Sequence, residues 1–172
     1  NPFGTAPTIE GESGVPATGT PISLNFKLFA ADAVGNPLPD SSANTINEEG
    51  ETSAYYVVLA VDGSGNPLAA QPAGTLDVKF TNVNAGAADY TGAVTSATIG
   101  AAFSSTAVND ALADDGETFT VALNGNYSQA GDYEAITYSP ATVTTTITDN
   151  DIVSIKSITS DTKVEGSSLV HT

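Results

Sequence analysis

The residues with the clearest capacity for chemistry are acidic, and they occur in clusters between stretches of β-type sequence. The clusters are Glu48, Glu49 and Glu51; Asp89; Asp110, Asp114, Asp115 and Glu117; and Asp149 and Asp151. In a sandwich of two sheets the loops gather at the two ends, so carboxylates that are distant in sequence can converge. Like charges within a few Å repel by roughly 1–4 kcal/mol per pair, depending on the dielectric. Such convergence is therefore unfavourable unless a cation lies between the carboxylates.

Calcium suits such a cluster better than magnesium does. It takes about six to eight oxygen ligands from carboxylates, carbonyls and water, whereas magnesium prefers a tight octahedron and retains its water. The charge spacing alone leaves a simpler interpretation open, in which these are solvated loop charges that keep the protein soluble.

Other metal and catalytic chemistries have little support in this sequence. The chain has no Cys, so disulfides are excluded. With no Cys and one His, His171, a zinc site is very unfavourable. A Ser-His-Asp triad would need a histidine near the acidic clusters. Paired carboxylates could act in a glycosidase, but the acids lie in loop runs and no Trp is present to stack on a sugar. We therefore expect a protein that is not an enzyme.

The charge balance restricts the partners. Twenty acidic residues stand against four basic ones, for a formal net charge of −16. Nucleic acids and anionic membranes both reward positive charge, so neither is an expected partner. No apolar run is long enough to span a bilayer, and direct membrane insertion is not expected. Since 40% of the residues are hydrophobic and alternate with polar ones, a wholly disordered acidic chain is disfavoured.

Short alternating stretches indicate the elements that must position the acids. Residues 22–28, 76–80, 119–123 and 141–148 have the period of strands. Residues 52–61 are the most β-prone stretch, with β-branched and aromatic residues throughout their second half, and turn signals separate these segments. Residues 93–108 show a weaker pattern, and no amphipathic helix of useful length is present. About seven short strands of this kind predict an all-β fold, an antiparallel sandwich.

The domain organisation follows from composition and from a short internal repeat. Residues 1–21 are rich in Pro, Gly and Thr and read as a linker or lead-in. Residues 22–151 are predicted to form the sandwich. The stretch 152–172 repeats the opening strand pattern of that module, which predicts the first strands of a following, incomplete module.

Residues 45–151 resemble the Calx-beta family, a repeat of sodium–calcium exchangers and many bacterial surface proteins. The resemblance is carried by Thr45-Ile-Asn-Glu-Glu-Gly-Glu-Thr, Ala88-Asp-Tyr-Thr-Gly, Val108-Asn-Asp-Ala-Leu-Ala-Asp-Asp-Gly-Glu-Thr-Phe-Thr-Val-Ala-Leu and Ala141-Thr-Val-Thr-Thr-Thr-Ile-Thr-Asp-Asn-Asp. It implies an Ig-like sandwich of seven strands with calcium (Ca²⁺) in the loops of one end.

The resemblance also implies a ligand set, which is taken from the matching motif positions. It consists of Glu48, Asp89, Asn109, Asp110, Asp114, Glu117, Asp149, Asn150 and Asp151. Asn stands where the family has Asp at 109 and at 150, which lowers the charge of the site and should lower its affinity or the number of ions held.

The function that we expect is a calcium-rigidified extender module of a large extracellular adhesin, of the type that bacteria secrete to their surface for attachment or biofilm. Its partners would be neighbouring repeats of the same polypeptide and a host or biofilm surface ligand. Two alternatives stay open. One is a sugar- or peptide-binding adhesin module that uses loops 30–44, 62–74 or 124–140. The other is a filament subunit in which residues 152–172 add a strand to a neighbour.

Overall fold

A computed structural model describes residues 23–152 as an all-β fold, with one 3₁₀ turn at Ala130–Asp132. The strands in chain order are β1 (Ser23–Ala31), β2 (Ala43–Asn47), β3 (Ser53–Val61), β4 (Thr75–Asn82), β5 (Tyr90–Thr91), β6 (Ser96–Thr98), β7 (Ala102–Ala107), β8 (Glu117–Gly125), β9 (Ala135–Tyr138) and β10 (Val143–Thr148). Within this part of the chain, no helix is long and apolar enough to cross a membrane.

The strands form two five-stranded sheets that pack face to face. Sheet A has the order β5-β7-β3-β1-β9, and sheet B has the order β2-β10-β8-β4-β6. The prediction of an all-β sandwich is confirmed, and the structure adds short edge strands to the seven that the sequence indicates. Two of these edge strands run parallel to their neighbours, β9 beside β1 and β2 beside β10, whereas the remaining pairs are antiparallel.

The core lies between the sheets and follows the alternation of the strands. Residues from β1 and β3 in sheet A meet residues from β4, β8 and β10 in sheet B. Its largest fully buried apolar side chains are Tyr56, Phe26, Phe119, Leu28, Ile46, Leu76 and Ile147. Each apolar side chain buried in this way contributes about 1.5–3 kcal/mol to the stability of the fold.

A chain of hydroxyl groups crosses this core. Thr145 Oγ1 donates to Asn44 Oδ1 at 2.6 Å, so its oxygen accepts from the Tyr56 hydroxyl, which lies at 2.6 Å. The Tyr56 oxygen in turn lies 2.9 Å from Ser105 Oγ. The chain joins β7 and β3 of sheet A to β10 and β2 of sheet B, and it satisfies polar groups that would be costly to bury alone.

Sheet A is apolar on its outer face as well, at its two central strands. Phe29 and Ala31 of β1 form a second buried cluster with Val57, Leu59 and Val61 of β3. Both faces of β3 are therefore buried over its second half. This explains why that stretch is a continuous apolar run and does not alternate.

The same loop motif follows β1 and β3. Asp32 and Asp62 each accept hydrogen bonds from the backbone N–H groups two and four residues later. In each loop the Leu that follows Asn-Pro donates its N–H to the last part of the preceding strand, at 2.9 Å. The repeat is present in the sequence as Asp-x-x-Gly-Asn-Pro-Leu at 32–38 and 62–68. It was not among the motifs predicted above.

The chain enters the sandwich at one end and leaves it at the other. β1 begins beside the end of β3, because Asn25 pairs with Val61. β10 ends beside the start of β8, because Ile147 pairs with Glu117. The N-terminus of β1 and the C-terminus of β10 are therefore at opposite ends. The predicted lead-in 1–21 and, apart from Ile152, the predicted second module 152–172 lie outside the described residues.

Candidate metal centre

Three adjacent strands of sheet B bring three carboxylates to one end. β2 runs parallel to β10 with Asn47 opposite Thr148, so Glu48 and Asp149 follow side by side. The Glu48 N–H donates to the Thr148 carbonyl at 3.1 Å, which continues the ladder by one step. Glu117 begins the antiparallel β8 at the same level. The register of the sheet thus places Glu48, Asp149 and Glu117 together.

Each of these three carboxylates has one buried oxygen without a hydrogen-bond partner. The atoms are Glu48 Oε2, Glu117 Oε2 and Asp149 Oδ2, and they are the orphaned buried side-chain polar atoms of residues 23–152. Glu48 is only 3% exposed. Buried polar atoms in proteins are almost always paired, and an unpaired buried charge destabilises a fold by several kcal/mol. A bound cation, or a proton on the carboxyl group, would relieve this cost.

Acidic loops from both sheets join the same end. Asp89 precedes β5, and its carbonyl accepts from the Val108 N–H at 2.9 Å, so it lies beside the end of β7. Asp110 and Asp114 belong to the loop that leads from β7 to β8. Burial raises the pKa of Asp114, and the charges of Asp110, Asp89 and Asp149 raise it further.

The carboxyl groups of Glu48 and Glu117 are affected by burial and by the charges of neighbouring acids. Burial raises the pKa of Glu48, as do the charges of Asp114, Asp149, Asp110 and Asp89. Burial raises the pKa of Glu117 to about 7, with further contributions from Asp89, Asp114 and Glu48. Because no cationic side chain of residues 23–152 offsets these shifts, the carboxylates destabilise one another in their ionised form.

Backbone hydrogen bonds hold the chain around the cluster. The Asp149 N–H donates to Asp115 Oδ1 at 3.1 Å, and the Asp151 N–H donates to Asp149 Oδ1 at 2.8 Å. Asp110 Oδ1 accepts from the Leu112 N–H at 2.6 Å. Asp115 therefore connects the loop before β8 to the end of β10 through this hydrogen bond. From the sequence it was grouped with the acids, but this role was not predicted.

The structure gathers six of the nine residues in the predicted ligand set, namely Glu48, Asp89, Asp110, Asp114, Glu117 and Asp149. Asn109 and Asn150 are exposed on the flanking loops, and Asp151 is half-buried beside Asp149. No hydrogen bond or electrostatic contact joins these two asparagines to the cluster among residues 23–152, so their part in a metal site stays a prediction.

The residues present fit a hard divalent cation by their chemistry. The donors are all carboxylate and amide oxygens, the ligands that calcium takes. As the side chains are placed, no three His, Cys, Asp or Glu residues of the described chain form a group that could hold an ion. The carboxylates must therefore move inward to ligate one. Such closure is unfavourable between bare charges and favourable around a cation.

The stretch 124–140, named above as a possible ligand-binding loop, packs its tyrosines Tyr127 and Tyr138 on the core. Tyr127 is buried against Phe26, with ring centroids 4.9 Å apart, and its hydroxyl donates to the Ala73 carbonyl at 2.8 Å. The Tyr138 hydroxyl accepts from the Tyr127 N–H at 3.2 Å. These rings are engaged in packing and do not form an open aromatic platform.

No family model matches this chain, and no curated protein matches it. Among solved structures, the apo-form Calx CBD1 domain is similar at 14% identity and a TM-score of 0.44, over 73% of this chain and 98% of that one. The structure of CBD12 from CALX1.2 is similar at 14% identity and a TM-score of 0.48, over 76% of this chain and 46% of that one. Membership of the Calx-beta family remains a prediction from the sequence motifs.

Proposed function

We propose that residues 23–152 form a calcium-binding β-sandwich that serves as a structural extender module of an extracellular bacterial adhesin. The observation that carries the proposal is the trio of orphaned buried oxygens on Glu48, Glu117 and Asp149. If these carboxylates only kept the protein soluble, they would be exposed to solvent, as Asp62 is.

Bound calcium would supply the positive charge that offsets the mutual repulsion of these acids. Glu48, Glu117 and Asp149 would hold it, with Asp89, Asp110 and Asp114 close enough to contribute. Because these residues come from both sheets and from the exit of β10, ligation would tie the loops of this end together. The free energy of binding would then appear as stability of the native state.

The path of the chain supports an extender. Entry and exit lie at opposite ends, so copies in series would extend end to end. Three exposed apolar side chains lie on loops at the acidic end, Val83, Leu112 and Ile152, the last of them 82% exposed. We propose that the next repeat of the same polypeptide covers them. Calcium near millimolar concentration outside cells suits extracellular modules, whose affinities lie around 10⁻⁴–10⁻³ M.

Thermal melting in calcium and after metal depletion tests this function. We expect the melting temperature to fall by about ten degrees or more without calcium, since saturation of even one site at a hundredfold excess contributes about 2.7 kcal/mol. Magnesium at the same concentration should restore much less. Identical melting curves in all three conditions would remove the calcium proposal.

A further inference from the structure

A cleft lies at the end of the sandwich opposite the acidic cluster. Its volume is about 520 Å³, within the range of about 300–1,000 Å³ that small-molecule sites occupy. Its floor is formed by Asn25, Phe26 and Lys27 of β1, and its two walls are the turn at 62–65 and the segment at 137–141. These walls belong to two of the loops that the sequence marked as possible ligand contacts.

The cationic residue in the lining of the cleft is Lys27. The carboxylate in the lining, Asp62, is engaged within its own turn, where it accepts from the N–H groups of Ser64 and Asn66 and from the Asn66 side chain. The Lys27 ammonium lies 4.8 Å from the centre of the Phe29 ring, which is not part of the lining, and the flexible side chain of Lys27 must turn to bring its ammonium to a ligand in the cleft. An ammonium at a cleft favours a carboxylate through a charge-assisted hydrogen bond.

The rest of the lining is rich in small hydroxyl side chains. Ser64 and Thr137 line opposite walls, and Ser139 lies beside Thr137. The Ser139 oxygen accepts from the Ala141 N–H at 3.3 Å, and the Thr137 hydroxyl donates to the Asn25 side-chain oxygen. A lining that combines several hydroxyl groups with one lysine matches a ligand that carries several hydroxyls and one carboxylate.

The charge of the acidic cluster does not oppose such a ligand at this place. The acidic cluster lies beside the start of β3 and the cleft beside its end, which at about 3.3 Å per residue is roughly 26 Å away. At physiological ionic strength the Debye length is about 8 Å, so most of that field is screened at the cleft.

We propose that this cleft is a binding site for a carboxylate-bearing saccharide, with Lys27 as the residue that recognises the carboxylate. The inference does not rest on the calcium proposal, because none of the lining residues belongs to the acidic cluster.

The test is an NMR titration of isotope-labelled protein at fixed free calcium, with sialyllactose as the acidic probe and lactose as its neutral match. We expect amide shifts at Ser64, Thr137 and Ala141 with sialyllactose and none with lactose. Lys27→Gln should weaken binding at least tenfold and Lys27→Arg only a few-fold. Lys79→Gln, which removes the other described lysine from a site on β4, should leave binding unchanged.

Several outcomes would overturn the proposal. Equal amide shifts with lactose, or unchanged affinity in a folded Lys27→Gln variant, would each do so. So would the absence of shifts at tens of millimolar acidic sugar. Shifts caused by a tripeptide with a free carboxylate, where the acidic sugar causes none, would also contradict the proposal. A melting curve of each variant shows whether it is folded. If Lys27→Gln does not fold, the affinity of Lys27→Arg still tests the role of Lys27.

Discussion

The hydroxyl oxygen of Tyr56 lies 2.6 Å from that of Thr145, and this contact joins the two sheets through the middle of the core. Tyr56 is fully buried. Its hydroxyl therefore has no access to water, and Ser105 depends on it for a partner, whereas Thr145 also donates to Asn44. A polar link of this kind stabilises the pairing of these particular faces, since a shifted packing would leave its atoms unpaired.

We expect Tyr56→Phe to destabilise the sandwich by about 1–3 kcal/mol, because it leaves the buried Ser105 hydroxyl without a partner and removes one of the two hydrogen bonds of Thr145. Urea unfolding in saturating calcium measures the change. Tyr55→Phe is the matched control, since Tyr55 is the adjacent residue and its side chain lies on the other face of β3. Equal stability of the two variants would mean that water or rotation of Thr145 satisfies the network.

Asp149→Asn should remove most of the calcium-dependent rise in melting temperature, because Asp149 Oδ2 is one of the three orphaned oxygens. The substitution keeps the size of the side chain and removes its charge. Asp77→Asn is the control, since Asp77 lies towards the other end of sheet B and accepts from Asn126 Nδ2 at 2.8 Å. Isothermal titration with calcium should show at least tenfold weaker binding for Asp149→Asn only, and equal effects would contradict the site.

The metal-free protein should become less stable as the pH rises from about 4.5 to about 7. The pKa of Glu117 is raised from 4.5 to about 7 by burial and by Asp89, Asp114 and Glu48. The folded state therefore holds a proton that the unfolded chain releases, and the stability from that proton is present at low pH and lost as the pH passes the folded pKa.

Melting of metal-depleted protein between about pH 5 and pH 8 measures this dependence. Saturating calcium should reverse the trend, because protons then compete with the ion for the same oxygens. Glu117→Gln should flatten the metal-free profile. A metal-free profile that rises with pH would show that the carboxylates are paired or solvated.

Removal of residues 153–172 should change the melting temperature of the sandwich by only a few degrees. The ten described strands of the two sheets lie between Ser23 and Thr148, and the hydrogen bonds of the Asp149 and Asp151 N–H groups are made within residues 23–152. A chain that ends at Ile152 is compared with the full chain in calcium. Loss of cooperative unfolding would mean that the removed residues complete this sandwich, and the two-module prediction would then be wrong.

The strands that alternate cleanly were predictable from the sequence, and those with a special environment were harder to identify. The region 93–108 looked weak because Ser105 points into the core, where it pairs with Tyr56. Parallel edge strands have no local signal, since the register of β2 on β10 depends on residues about a hundred positions apart. Sequence patterns report the two faces of a strand and do not report its neighbour.

For the candidate site, the sequence indicated which acids would converge but not how they would be held. The orphaned oxygens follow from the side-by-side placement of Glu48 and Asp149, which only the sheet register determines. The hydrogen bond between the Asp149 N–H and Asp115 could likewise not be predicted, because an exposed Asp next to a predicted ligand has no distinguishing sequence pattern.

The opposite placement of entry and exit also determines how the module would respond to tension. A pull on the start of β1 and on the end of β10 acts along both strands, so each must slide past its neighbours as a whole. The ladders that β1 forms with β3 and β9, and that β10 forms with β2 and β8, would then carry load together and not one bond at a time. The C-terminal end of β10, where the load would enter the sandwich, lies beside Glu48, Glu117 and Asp149. An ion bound to these residues would therefore oppose the sliding of β10 past β2 and β8.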